Sequence, residues 1–181
     1  MQLFKCKLDG LILIKPKKIT DNRGFFCEVF RKNRLEELIN EKITFCQSNL
    51  SKSVYGTIRG LHYQTHPFSQ SKLVSAIKGE ILDVVIDIRK KSNTYGKIYS
   101  VILNDKNNFR LFIPKGFAHG FSVLSETATI LYNVDNYYNK ESDRGINPLD
   151  TELAIDWKIK NNKRIISAKD QSLPNFSSIE F

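Results

Sequence analysis

The chain has 181 residues, 41% hydrophobic and 26% charged, so it can build a core and is not a disordered polymer. Its formal charge is +9, but the lysines are scattered, as in Lys160-Asn161-Asn162-Lys163, with no basic helix and no aromatic RNA-binding motif, which argues against a nucleic-acid partner. The three cysteines are far apart and odd in number, and no apolar run is long enough for a signal core or a membrane span; the expectation is one reduced, cytoplasmic domain over residues 1–181, with no membrane partner.

In chain order, strand candidates occupy residues 10–15 and 25–30. A short helix should follow, with Asn33 as cap, Glu36 three residues on as in a capping box, and Leu35, Leu38 and Ile39 at helical spacing. Further strands are expected at 45–51, 58–64, 72–77, 81–89, 98–103, 110–113, 120–124 and 129–136. The clearest is 81–89, where Leu82, Val84, Ile86 and Ile88 alternate with Asp83, Val85, Asp87 and Arg89. Lys78-Gly79-Glu80 before it suggests a hairpin with 72–77, and 104–108 reads as a strong turn. Cys27 and Cys46 lie in apolar, strand-like runs and are expected in the core. The last thirty residues are mixed, around Trp157. Many short strands at regular spacing indicate an all-β jelly roll or sandwich.

Three histidines exist, His62, His66 and His119. His62 lies in Arg59-Gly60-Leu61-His62-Tyr63-Gln64, within a strand candidate. His119 follows the turn-rich run Pro114-Lys115-Gly116. Gln47, Asn49 and Ser51 alternate, so their side chains share one strand face, which in a barrel can be the lumen.

These blocks together resemble the dTDP-4-dehydrorhamnose 3,5-epimerase family of cupin-fold enzymes. The resemblance spans nearly the whole chain. It runs through residues 21–28 (DNRGFFCE), Gln47-Ser48-Asn49-Leu50-Ser51, 59–64, Gln70-Ser71-Lys72-Leu73-Val74, 79–89, 114–121, Tyr132 and Ser167-Ala168-Lys169-Asp170. It implies a cupin-type jelly-roll barrel with a short helix in the N-terminal half and a small mixed C-terminal segment. The implied activity is epimerisation of a nucleotide-diphospho-4-keto sugar, for surface polysaccharide.

The chemistry of that substrate sets what the residues must do. The C–H bonds at C3 and C5 of a 4-keto sugar are acidified by the carbonyl, because each conjugate base is an enolate, so the reaction requires neither a redox cofactor nor a metal. It needs a base on one face, a proton donor on the other and positive charge near O4. His62 suits the base, since an imidazole titrates at about 6.5, and Asp170, assigned by resemblance, would orient it. Tyr132 suits the acid, and Lys72 can steady the enolate oxygen. Arg23 and Arg59 resemble the family's pyrophosphate ligands, and Phe26 and Tyr138 the aromatics that sandwich the nucleotide base. Glu28, Gln47, Asn49 and His119 resemble further pocket positions. Asp83 is expected in the inner hydrogen-bond network.

A metal-dependent cupin is the alternative, with His62, His66 and His119 as three imidazole ligands. His62 and His66 share strand parity, and Pro114, Gly116 and His119 match the spacing of the second cupin motif. The His-x-His of the first motif is missing. After Tyr138 the sequence departs from the family pattern: the usual Pro is absent and Asp143 stands where Glu is common. A carboxylate there could accept hydrogen bonds from guanine, so the nucleotide is open between dTDP and GDP, the latter carrying a 4-keto heptose. Inversion at C3 alone, or at C3 and C5, is also open. The resemblance further implies a homodimer built by strand exchange at sheet edges, which would cover exposed edges.

Overall fold

The computed structural model describes residues 1–179. Its strands run in chain order as β1 (Gln2–Lys5), β2 (Ile12–Lys15), β3 (Lys18–Asp21), β4 (Gly24–Cys27), β5 (Gln47–Val54), β6 (Thr57–Gln64), β7 (Lys72–Lys78), β8 (Glu80–Asp87), β9 (Ile98–Asn104), β10 (Arg110–Ile113), β11 (Phe117–Val123), β12 (Thr127–Val134), β13 (Asp143–Gly145) and β14 (Ile165–Ile166), with α1 over Lys32–Ile39 and α2 over Ala168–Gln171. They form one sheet in the order β1-β2-β10-β7-β12-β5 and a second in the order β13-β6-β11-β8-β9, with β14 added parallel to β6. The main ladders are antiparallel. The two sheets pack face to face as the expected cupin-type jelly roll.

Alternation along each strand divides three apolar layers. Between the sheets lie Leu11, Leu13, Val74, Ala76, Ile81, Val85, Phe117, Phe121 and Ile130. Behind the second sheet, Ile58, Leu61, Leu82, Val84 and Ile86 meet the C-terminal segment through Ile146 and Trp157. Behind the first, Ile12, Ile14, Leu73 and Phe112 are covered by Leu35 of α1 and by Ile43. The strand at 81–89 is therefore buried on both faces, one face in each layer. Trp157 is almost wholly buried and its indole N–H donates to the Pro148 carbonyl at 2.7 Å, which satisfies its polar atom inside the C-terminal cover.

Several sequence expectations are corrected. β7 and β8 are not a hairpin: they belong to opposite sheets, and Lys78-Gly79-Glu80 carries the chain from one to the other. Gly79 is required there, because its φ is +76° and a Cβ would lie 2.1 Å from the Thr127 carbonyl. The capping box at Asn33 does not form. The helix begins at Lys32 behind Arg31, without a side-chain cap, and the Glu36 carboxylate instead accepts the Ile43 N–H at 3.0 Å, holding the chain that leaves the helix. Cys46 is exposed and Cys27 only half-buried, so neither is core filler. The strand expected at 25–30 ends at Cys27, and it pairs with β3, a strand whose polar sequence hid it.

Candidate active site

On the inner faces of the sandwich, polar side chains interrupt the apolar alternation at corresponding positions. Lys72 precedes Val74 and Ala76 on β7, Tyr132 follows Ile130 on β12, His119 lies between Phe117 and Phe121 on β11, and Asp83 lies between Ile81 and Val85 on β8. Gln47 and Asn49 extend this face on β5, with Asn49 opposite Tyr132. The result is an apolar core that gives way to a polar cavity of about 910 Å³. It is bordered by Gln47, Asn49, Arg59, His62, Lys72, His119, Tyr132, Tyr138, Asp143, Lys169 and Asp170.

A bulge in β6 sets the geometry. Across the ladder with β11, His119 pairs with His62 and Phe121 with Arg59, so Gly60 and Leu61 together oppose the single residue Gly120. Gly60 has φ +111°, and a Cβ on it would lie 2.6 Å from Gly120 Cα and 2.7 Å from the His119 carbonyl. The two glycines thus let the strands meet backbone to backbone. Arg59 and His62 are three residues apart and would face opposite sides of a regular strand; the extra residue turns both to the cavity. Arg59 is further fixed by its Nε, which donates to Ser53 Oγ at 3.0 Å.

His62 Nε2 lies 2.8 Å from Asp170 Oδ1, and Asp170 Oδ2 accepts the Gly60 N–H at 3.3 Å. Asp170 is presented by α2, whose cap Ser167 accepts the Asp170 N–H at 3.0 Å. Burial opposes ionisation of Asp170, but hydrogen bonds from His62, Gly60 and Ser167 outweigh it and hold the carboxyl below its ordinary range. An ionised carboxylate only accepts, so His62 carries its hydrogen on Nε2 and leaves the Nδ1 lone pair free.

Lys72 is buried, and its Nζ donates to the His62 carbonyl at 3.3 Å. Burial lowers its amine to about 8, while Asp83 and Asp143 oppose the fall. Burial also raises the Tyr132 phenol, with Arg59 opposing, so it stays protonated at neutral pH. Asp83 is where the sequence reading put it, inside the network, with Oδ2 2.9 Å from His119 Nε2.

Tyr138 stands at the rim, 55% exposed, with its hydroxyl donating to Asp143 Oδ2 at 3.2 Å. Lys169 reaches the same oxygen at 2.6 Å. The sequence reading missed Lys169, although it lies inside the block that contains Asp170. It also missed Gln64, whose side chain accepts the Asn139 N–H at 2.7 Å and donates to the Tyr137 carbonyl at 3.1 Å, fixing the loop that bears Tyr138.

Arg23, Phe26 and Glu28 do not join the site. They lie on or just after the β3–β4 hairpin, where Arg23 pairs with Asp21 and Glu28 with Arg31, and Phe26 is 70% exposed. None borders the cavity of its own chain. The three-imidazole arrangement fails as well. β6 ends at Gln64, so the parity that linked His62 to His66 does not continue, and His66 is exposed on the following turn. Among the described residues no three His, Cys, Asp or Glu side chains are grouped so as to hold a metal ion.

The family model described as dTDP-4-dehydrorhamnose 3,5-epimerase matches residues 5–178. The protein of that name from Shigella flexneri is 41% identical over 100% of this chain and 99% of its own length. The crystal structure of dTDP-4-dehydrorhamnose 3,5-epimerase from Elizabethkingia anophelis superposes with a TM-score of 0.96 at 44% identity, covering 100% of this chain and 99% of the other. A Legionella pneumophila 3,5-epimerase solved in complex with dTDP-4-keto-L-rhamnose gives a TM-score of 0.93 at 43% identity, covering 99% and 94%.

Proposed function

The chain belongs to the dTDP-4-dehydrorhamnose 3,5-epimerase family and is an epimerase; on that premise we propose that it inverts C3 and C5 of a dTDP-linked 4-keto-6-deoxyhexose, with His62 as base and Tyr132 as acid. The observation that carries the reading is the common cavity. An imidazole with a free Nδ1, a protonated phenol and a buried amine all border one space of about 910 Å³. Cavities of several hundred Å³ accommodate small-molecule ligands.

In this scheme His62 Nδ1 takes the hydrogen from the carbon beside the carbonyl, and the electron pair moves to O4. Asp170 stabilises the imidazolium that forms. The Lys72 ammonium faces the developing enolate oxygen, where a fixed charge acts in the transition state. Tyr132 returns a proton to the opposite face and inverts the carbon. Arg59, held by Ser53, provides a planar donor fork for the diphosphate.

Two features refine the partner. Asp143 Oδ2 already receives both Tyr138 and Lys169, which leaves its carboxylate less free to take the two adjacent N–H groups of guanine and favours dTDP over GDP. The β3–β4 hairpin exposes Ile19 (63%), Phe25 (54%) and Phe26 (70%) beside Arg23, while neither Arg23 nor Phe26, the expected partners of Arg59 and Tyr138, borders the cavity of its own chain. A homodimer in which each hairpin lies against the other copy's cavity would supply both and cover that apolar surface.

Incubation in heavy water tests the reaction. dTDP-4-keto-6-deoxyglucose should gain two deuterons, at C3 and C5, and give the L-configured product. A GDP-linked 4-keto sugar should exchange far more slowly. Exchange at one carbon would restrict the activity to 3-epimerisation, and faster turnover of the GDP sugar would reverse the nucleotide assignment.

A further inference from the structure

The least accessible charge near the site is not used by the scheme above. Asp83 is completely buried and does not border the cavity. Its Oδ2 is engaged by His119, but Oδ1 has no hydrogen-bond partner among the described residues. An orphaned buried acceptor costs on the order of 1–3 kcal/mol, more when charged, and native proteins rarely keep one without a use.

A use lies across the barrel. Lys72 is buried on the facing sheet, and among the described residues it has no carboxylate within ion-pair distance. Its in-register neighbours, Ile113 on β10 and Val134 on β12, carry no charge. Around it the cavity presents Arg59 and His62 from β6, His119 from β11, Tyr132 from β12, Asp143 from β13, and Lys169 and Asp170 from α2. Arg59 and Lys169 add positive charge, Asp143 is neutralised by Lys169, and Asp170 is engaged by His62. Asp83 and Asp170 are each engaged by an imidazole and not by a permanent cation, and of the carboxylates around Lys72 it is Asp83 whose field is the largest influence holding the amine up against burial.

We propose that Asp83 is a positioning residue of the reaction, which acts from behind the cavity wall to keep Lys72 an ammonium and thereby sets the alkaline limit of activity. The proposal rests on the enolate role given to Lys72. Asp83 touches neither substrate nor reacting atoms. A long-range interaction suits this task, because a direct ion pair would tie the ammonium to the carboxylate and away from O4.

The test is the pH profile of kcat for Asp83→Asn against the parent. The alkaline limb should move down by roughly one pH unit, as expected for loss of one nearby opposite charge, a shift that a merely structural loss would not produce. The ε-carbon NMR signal of Lys72, assigned with Lys72→Met, should titrate at correspondingly lower pH in Asp83→Asn. If that variant does not fold, the parent protein still decides the matter: the Asp83 carboxyl carbon signal should shift with the same midpoint as the Lys72 ε-carbon. Equal Lys72 midpoints in the two proteins, or an Asp83 signal flat through the Lys72 titration, would overturn the proposal. Full activity of Lys72→Met would instead remove the enolate role, and the NMR titrations would stand apart from that failure.

Discussion

Arg59 and His62 stand three residues apart on one strand and face the same cavity, because Gly60 and Leu61 share a single partner, Gly120, on the neighbouring strand. A methyl group on Gly60 would meet backbone atoms at 2.6 and 2.7 Å at a φ of +111°. Gly60→Ala should therefore lower stability by roughly 2–4 kcal/mol and abolish turnover through misplacement of both side chains. Thermal unfolding and a steady-state assay check the two effects.

Asp170 fixes which nitrogen of His62 is free. Asp170→Asn keeps the shape but presents an amide that can donate, which favours the opposite tautomer and removes the partner of the imidazolium. The rate should fall by about 10³- to 10⁴-fold, as when the carboxylate of a His–Asp pair is converted to amide, with the fold retained by circular dichroism. His62→Asn should stop deuterium incorporation altogether.

Tyr132→Phe separates abstraction from return. The base remains, so deuterium washout at one carbon should persist while inversion falls by on the order of 100-fold. Product stereochemistry by NMR reads both, and unchanged inversion would remove Tyr132 from its role.

The buried Lys72 is a stability liability, which the enolate role proposed for it would account for. Its amine is lowered to about 8 in the fold, so between about pH 8 and the ordinary lysine value near 10.4 the unfolded chain binds more protons than the folded one. Stability contributed by this group therefore rises with pH across that window. Lys72→Met should raise stability at pH 7 by up to about 3 kcal/mol, lose that advantage by pH 11, and reduce the rate by about 100- to 1000-fold. Denaturant midpoints at the two pH values check the sign.

The proposed homodimer, in which each hairpin completes the other copy's cavity, predicts complementation. Arg23→Ala and His62→Asn should each be nearly inactive alone. Mixed after unfolding and refolding together, they should recover up to about a quarter of normal activity, since half the dimers are hybrids and each hybrid has one intact site. No recovery would place Arg23 in the site of its own chain, and full activity of Arg23→Ala alone would place it outside the reaction.

What was legible in the sequence divides along physical lines. Ile81 to Asp87 declared itself because strict alternation needs no knowledge of partners, and Gln47, Asn49 and Ser51 fell on the cavity face for the same reason, whereas Tyr132 was reached only through the resemblance. The Lys78-Gly79-Glu80 turn did not declare its destination, since a positive-φ glycine serves a hairpin and a crossing between sheets equally well. Arg23, Phe26 and Glu28 are expected in the site from resemblance alone, and nothing local in the sequence shows that they lie away from their own chain's cavity. The cap at Asn33 failed because Glu36 found a better donor in Ile43, seven residues on. The partnership of Arg59 and His62 needed the bulge, which depends on Gly120 sixty positions later.

The carboxylate that arms His62 comes from a residue 108 positions further along the chain. At synthesis rates of roughly 5–20 residues per second, the imidazole is therefore made some 5–20 s before Asp170 is. A nascent barrel can fill its inner layer during that interval yet holds an unoriented ring and no means of removing a hydrogen from carbon. With the roles proposed above, activity waits on the docking of one late, four-residue helix.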